Sequence, residues 1–172
     1  MPWDDVFATL NRLKEQGKVR HVGLSNFGVT DLNDLPPEAT RLGPVTSNQL
    51  IYNLLARAIE FEVLPACVGR GIGVLCYSPL AQGLLTGKFR SADDVPLTRA
   101  RTRHFSKARK HTRHGCDGCE AETFEAIDQV RDICVGLGEP MADVALAWVL
   151  HQPAIASVLA DRKSTRLNSQ SH

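Results

Sequence analysis

Two cysteines set three apart, Cys116-Asp117-Gly118-Cys119, come closely after His111 and His114. Thiolate and imidazole are the ligands zinc favours, so the stretch holds the donors of a metal clip. Its order argues against one, because zinc motifs of this kind place their histidines well downstream of the cysteines and here they come first. The flanking charge also opposes a cation: Arg99, Arg101, Arg103, Lys107, Arg109, Lys110 and Arg113 occur with no acid among them. No metal is assigned, and the stretch reads as a flexible loop insertion. A redox role is weaker still as a reading, since the motif does not open a helix directly after a strand.

That basic loop sits on an acidic body. The chain of 172 residues carries 20 Lys+Arg against 19 Asp+Glu, a net charge of +1. Outside the loop and the last twelve residues, acids outnumber bases by eighteen to ten. A nucleic-acid binder spreads its positive face over folded elements. Charge confined to one loop fits a single anionic ligand, or plain solvation, and no nucleic-acid partner. Apolar residues at 43% and charged residues at 23% describe one globular domain with a sizeable core, and exclude disorder or a disulfide-stapled miniprotein. No apolar run reaches the roughly 18 residues of a membrane span, so no membrane partner is assigned. The start, Met1-Pro2-Trp3-Asp4-Asp5, lacks the layout of a signal peptide. Five cysteines, an odd number, fit reduced thiols and a cytoplasmic setting.

The elements that must position any site alternate between strand-like and helix-like, which predicts βα units and a parallel sheet. Trp3, Val6, Leu10 and Leu13 share a helical face, with Asp4 and Asp5 at the positive end and Gly17 as cap. A strand over Val19–Leu24 comes next, with His21 inside it, then a short helix from Thr30 to Leu35 stopped by Pro36-Pro37. Val45 to Tyr52 predicts a second strand and Ile59 to Val68 a helix. Ile72–Tyr77 has the apolar run of a strand buried on both faces. A long polar loop extends to about Cys119. Phe124, Ile127, Val130, Ile133 and Leu137 recur at helical spacing, Met141 to Leu150 predicts another helix, and Ile155–Leu159 a last strand.

Three segments, in order, carry a specific likeness: Gly17-Lys18-Val19-Arg20-His21-Val22-Gly23-Leu24-Ser25-Asn26-Phe27, Asn48-Gln49-Leu50-Ile51-Tyr52-Asn53, and Tyr77-Ser78-Pro79-Leu80-Ala81-Gln82-Gly83-Leu84-Leu85-Thr86-Gly87-Lys88. With Val144-Ala145-Leu146-Ala147-Trp148-Val149-Leu150 as a fourth, they resemble the aldo/keto reductase family over Pro2 to about Ala160. The family is a (β/α)8 TIM barrel that reduces aldehydes and ketones with NADPH. The resemblance implies an α/β fold in which the four strands are the fifth to eighth of a partial barrel. Each motif then lies at the C-terminal strand ends, where barrel enzymes place their sites.

The resemblance further implies cofactor contacts. Ser25, Asn26 and Gln49 can donate to and accept from a nicotinamide carboxamide. Tyr77 offers a flat face for the ring to stack upon. The turn of Ser78, Pro79, Leu80, Ala81, Gly83 and Leu84 suits a pyrophosphate, with Gly83 and Gly87 allowing unusual backbone angles. Lys88 adds a point charge, and Arg103 is the expected contact from the basic loop. Taken singly, each residue has a plainer reading, as a helix cap, a satisfied polar group or ordinary core.

No catalytic residue is assigned. In the family a tyrosine acid tuned by a lysine, with an aspartate and a histidine nearby, comes from the barrel's first half. Here the tyrosines are Tyr52 and Tyr77 alone, both within other motifs. A complete barrel takes about 250 residues, so the chain is expected to be a fragment: residues 1–160 a C-terminal half-barrel, inactive by itself, its parent acting on a small carbonyl compound. Residues 161–172, Asp161 to His172, read as a non-native tail. NADP cannot be told from NAD, because the 2′-phosphate site falls beyond Ala160. Open barrel edges predict self-association. The alternative reading is a non-catalytic half-barrel module for binding or assembly.

Overall fold

The computed structural model describes residues 3–41, 43–112 and 114–160. The expected tail, residues 161–172, lies outside them, as does Arg113. Helix α1 (Trp3–Glu15) leads into β1 (Val22–Ser25), α2 (Val29–Asn33) and β2 (Val45–Ile51). Then come α3 (Val63–Gly69), β3 (Gly73–Tyr77), α4 (Glu120–Leu137), α5 (Met141–Leu150) and β4 (Ile155–Leu159). The strands form one sheet in the order β1-β2-β3-β4, every pair parallel. This α/β arrangement of four consecutive parallel strands is consistent with part of a barrel.

The first strand starts later than its apolar run suggests. Val19, beyond α1, still bonds back to it, its N–H reaching Leu13 O at 3.4 Å. Pro44 has no N–H to donate, so the ladder opens at Val22 against Val45. His21 therefore precedes the strand and is exposed. The helix expected from Ile59 is a single 3-10 turn, Ala58–Glu60, with α3 starting only at Val63.

One face of the sheet is covered. Val22, Leu24, Leu50, Val74, Cys76 and Val158 pack with Phe7, Leu32, Leu64, Cys67 and Val149 from the helices. Val74 and Cys76 are wholly buried. The other face carries Ser25, Ser47, Gln49, Ile51, Leu75, Tyr77, Ser157 and Leu159. It is the open side, with Ile51 38% and Leu159 43% exposed.

The segment between β3 and α4, expected as a long polar loop, supplies part of the core. Val95, Ala100 and Phe105 are buried in a second cluster with Leu84, Leu85, Phe124, Ile127 and Ala145. Arg109 pins it, bonding the two Glu120 oxygens at 2.6 Å each and Asp93 at 2.8 Å, with its guanidinium 5.7 Å from the Phe105 ring centre. Of the described bases, Arg101, Arg103, Lys107 and Lys110 are exposed and Arg109 is paired, so the charge does not keep these apolar side chains from packing.

Candidate cofactor site

Parallel strands deliver their C-terminal ends to the same edge of the sheet, so the loops after β1, β2 and β3 are neighbours. Ser25 registers with Gln49, Gln49 with Leu75, and Ile51 with Tyr77. Asn26 is next, in the left-handed region (φ 59°), a conformation asparagine tolerates better than most residues. This turn sends its N–H to Gln49 O at 2.9 Å. The Asn26 side-chain oxygen accepts from the Tyr77 hydroxyl at 3.0 Å, bridging over the end of β2. Ser25 Oγ donates to Gln49 O at 3.5 Å. Ser25, Asn26, Gln49 and Tyr77 thus form a continuous polar belt with one aromatic ring.

Two buried asparagines hold this belt, and neither is among the residues the sequence nominates. Asn48 is fully buried; its amide donates to Phe27 O at 2.9 Å and its oxygen accepts from Phe27 N at 3.4 Å. Both backbone groups of the residue after Asn26 are thereby fixed. Phe27 also meets the Trp3 ring, centroids 5.1 Å apart. Asn53, 1% exposed, donates to Ser78 O and accepts from Leu55 N and Ala56 N, each at 2.9 Å. It ties the turn after β2 to the turn after β3. Both lie within the Asn48–Asn53 segment, and only Asn53, just beyond the end of β2, carried a signal in its position.

The turn after β3 runs through left-handed backbone at Ser78, Ala81, Gln82 and Gly83 (φ 53°, 47°, 56° and 101°). Such angles cost a non-glycine residue about 1–3 kcal/mol each and persist where the surroundings impose them. Pro79, Ala81 and Leu84 are buried and Leu80 half-buried, so the turn is packed into the body, while Ser78 and Gly83 are half-exposed. At Gly83 a Cβ would stand 3.1 Å from Arg99 Nη1. Arg99 is thus the basic-loop residue that reaches the turn. Lys88 and Arg103 are exposed, and no contact among the described residues ties either to the belt.

Other groups are occupied elsewhere. Tyr52 is buried and donates to Glu60 at 2.6 Å. Burial first, and then the Glu60 carboxylate, push its phenol above the ordinary value of 10. This is the reverse of what proton donation near neutrality requires. His114 lies between Thr102 O (2.9 Å from Nε2) and Cys116 N (3.3 Å from Nδ1). Among the described residues no three His, Cys, Asp or Glu side chains converge to hold a metal ion.

The model of the aldo/keto reductase family matches residues 1–170. The chain belongs to the aldo/keto reductase family. Relatives of this chain include the uncharacterized oxidoreductase YrpG of Bacillus subtilis, 36% identical over 91% of this chain and 44% of the relative. The NADH-specific methylglyoxal reductase of Escherichia coli is 32% identical over 92% of this chain and 44% of its own length. The versiconal hemiacetal acetate reductase of Aspergillus parasiticus is 31% identical over 89% and 43%. The chain spans less than half the length of these relatives. Among the described residues no single helix is long and apolar enough to cross a membrane.

Proposed function

We propose that this chain forms the nicotinamide and pyrophosphate wall of an NADP(H)-dependent carbonyl reductase, with strands β1–β4 as the fifth to eighth of the barrel. One observation carries the reading: Ser25, Asn26, Gln49 and Tyr77 form a single belt at one end of the sheet, closed by the Tyr77–Asn26 hydrogen bond. Its donors and acceptors fit a carboxamide, and the Tyr77 ring, half-exposed on the open side, fits a flat heterocycle. The bare Gly83, with Arg99 against it, fits an anionic phosphate linkage. Lys88 and Arg103 stay in the proposal as longer-range charges. When bound, the dinucleotide supplies a hydride to a small aldehyde or ketone.

The proton donor is assigned to no residue of this chain. Tyr52 is engaged with Glu60, and Tyr77 belongs to the belt. Residues 1–160 are accordingly one half-barrel unit, inactive alone. Titration with NADPH and with NADH, monitored by nucleotide fluorescence, tests both statements. Wild type is expected to bind, and Gln49→Ala or Tyr77→Ala to bind at least roughly tenfold more weakly, the worth of about 1.4 kcal/mol. Because the Escherichia coli relative is named NADH-specific, tighter binding of NADH would correct the cofactor while preserving the site. Equal binding by both variants would remove the site, and carbonyl turnover by a homogeneous preparation would remove the assignment of an inactive half.

The open sheet face favours a second reading, an assembly module. Ile51 and Leu159 are exposed on it, and among the described residues β1 and β4 are unpaired edges. A defined oligomer by size-exclusion chromatography that ignores both nucleotides would select this reading.

A further inference from the structure

The chain has five cysteines in two populations. Cys67, Cys76 and Cys134 are buried, whereas Cys116 and Cys119 are exposed. Burial also pushes the thiols of all three buried residues up, that of Cys76 to about 11, which disfavours the reactive thiolate. The exposed two stand on a fixed piece of backbone. Cys116 O accepts from Lys107 N and Cys119 N donates to His104 O, each at 2.9 Å, so both are clasped to the same strip, residues 104–107. Gly118, between them, is left-handed (φ 80°) and so close to this strip that a Cβ would stand 2.5–2.7 Å from the Phe105 and Ser106 backbone. Phe105 is itself core, at 1% exposed. Packing therefore sets the turn that separates the two thiols.

From this we infer that Cys116 and Cys119 are a reversible dithiol–disulfide site, oxidised by small anionic disulfides. The two positions are not equivalent. Cys119 Sγ rests 3.4 Å from Thr123 Oγ1, while the Cys116 side chain has no hydrogen-bond partner among the described residues and is the freer to attack. Lys107 pairs with Asp117, and Arg109 with Glu120 and Asp93. Arg99, Arg101, Arg103 and Lys110 keep positive charge on the chain before the cysteines and draw an anionic reagent toward it. Glutathione disulfide serves as that reagent. The Cys116 thiolate attacks one of its sulfurs, its S–S bond breaks, and one glutathione thiolate leaves. The Cys119 thiolate then attacks the Cys116 sulfur of the mixed disulfide and expels the second glutathione. Two protein thiols are oxidised, one glutathione disulfide is reduced to two thiols, and the protons released by the cysteines end on those thiols.

The test uses the whole chain, reduced and then equilibrated with glutathione redox buffers, quenched by alkylation and mapped by mass spectrometry. The expected product has lost two alkylatable thiols, both in the Cys116–Cys119 peptide, without retained glutathione and without a change in oligomeric state. Cys67, Cys76 and Cys134 remain alkylatable after unfolding. Cys119→Ser should convert the outcome into a stable mixed disulfide on Cys116. Cys116→Ser should slow glutathione capture roughly tenfold or more, since the remaining thiol, though also exposed, is held beside Thr123 Oγ1. Mixed disulfides that persist on both wild-type positions would overturn the inference. So would disulfide-linked dimers, an absence of reaction, or equal reactivity of the three buried cysteines.

Discussion

The belt of polar groups stands on Asn48, and Asn48→Ala should loosen it measurably. The substitution removes a 2.9 Å hydrogen bond to Phe27 O and a longer one from Phe27 N, in a side chain that is fully buried. Each net hydrogen bond is worth about 0.5–1.5 kcal/mol, and leaving the two partly buried Phe27 groups without partners adds to the loss. The expected destabilisation is about 2–3 kcal/mol, a drop of roughly 30- to 150-fold in the folded-to-unfolded ratio. For a chain of this size that lowers the melting temperature by about 5–10 °C. Urea unfolding monitored by tryptophan fluorescence measures it, and Trp148→Phe as background leaves Trp3, in ring contact with Phe27, as a local reporter. Emission from Trp3 should change already in the folded baseline, because the loop it touches has lost its anchor. Asn48→Asp gives a signed control. The carboxylate keeps an acceptor for Phe27 N but faces Phe27 O with no proton. Its deficit should therefore shrink as pH falls and the buried acid regains a donor. An alanine variant within about 0.5 kcal/mol of wild type, with unchanged Trp3 emission, would refute the anchoring role.

Gly83→Ala should cost about 1–2 kcal/mol in thermal melts, because φ is 101° and the new methyl meets Arg99 Nη1 at 3.1 Å; nucleotide titration should weaken in parallel. Gly118→Ala is expected to cost at least about 2 kcal/mol, since its Cβ would lie 2.5–2.7 Å from backbone that cannot swing aside. Hydrogen exchange should then locate the loosening to residues 104–119. His104 is half-buried, and burial lowers its pKa below the ordinary 6.5, against a smaller opposing effect of its bond with the Leu55 backbone. The unfolded chain then takes up a proton near 6.5 that the folded chain resists. Stability from this residue is complete above that pH and falls as pH drops through 6.5 toward the lowered folded value. Chemical denaturation across this range should show the fall in wild type and a shallower one in His104→Gln.

Ile72–Tyr77 was legible because a strand buried against helices leaves an apolar run, although only its Val74–Cys76 face is covered. Ile155–Leu159 was legible from its apolar residues, although none of them is fully buried. The start of β1 was not, because Val19–His21 are as strand-like as Val22–Leu24. Pro44, just before the neighbouring strand, has no N–H to extend the pairing below Val22–Val45. The site shows the same division. Ser25, Asn26, Gln49 and Tyr77 could be nominated from their motifs, and the structure brings them into one belt. Asn48 could not be separated from Gln49, since adjacent residues differ only in which face they meet, and a run without strict polar alternation does not reveal its faces. Arg99 and Arg103 differ for a related reason: no periodicity in a basic loop marks the one residue that folds back on Gly83. The loop itself misleads through its polarity, because Val95, Ala100 and Phe105 recur every five residues, which matches neither helix nor strand spacing, and yet supply a core.

The placement of the belt also constrains how strongly it can bind. Ser25, Gln49 and Tyr77 stand on the open face of the sheet, the same face on which Ile51 and Leu159 meet solvent. A planar ring laid on Tyr77 is therefore shielded on one side and wet on the other. Hydrogen bonds from the belt to a carboxamide then compete with water on their solvent side, which keeps each near its modest net worth rather than its low-dielectric strength. Covering the open face would strengthen every one of these contacts together without moving a residue of the belt. A ligand that binds this chain weakly, and loses proportionally as much affinity on Tyr77→Ala as on Gln49→Ala, fits a single wall of this kind. Tight binding that survives either substitution would require a second set of contacts, and the belt would not be the site.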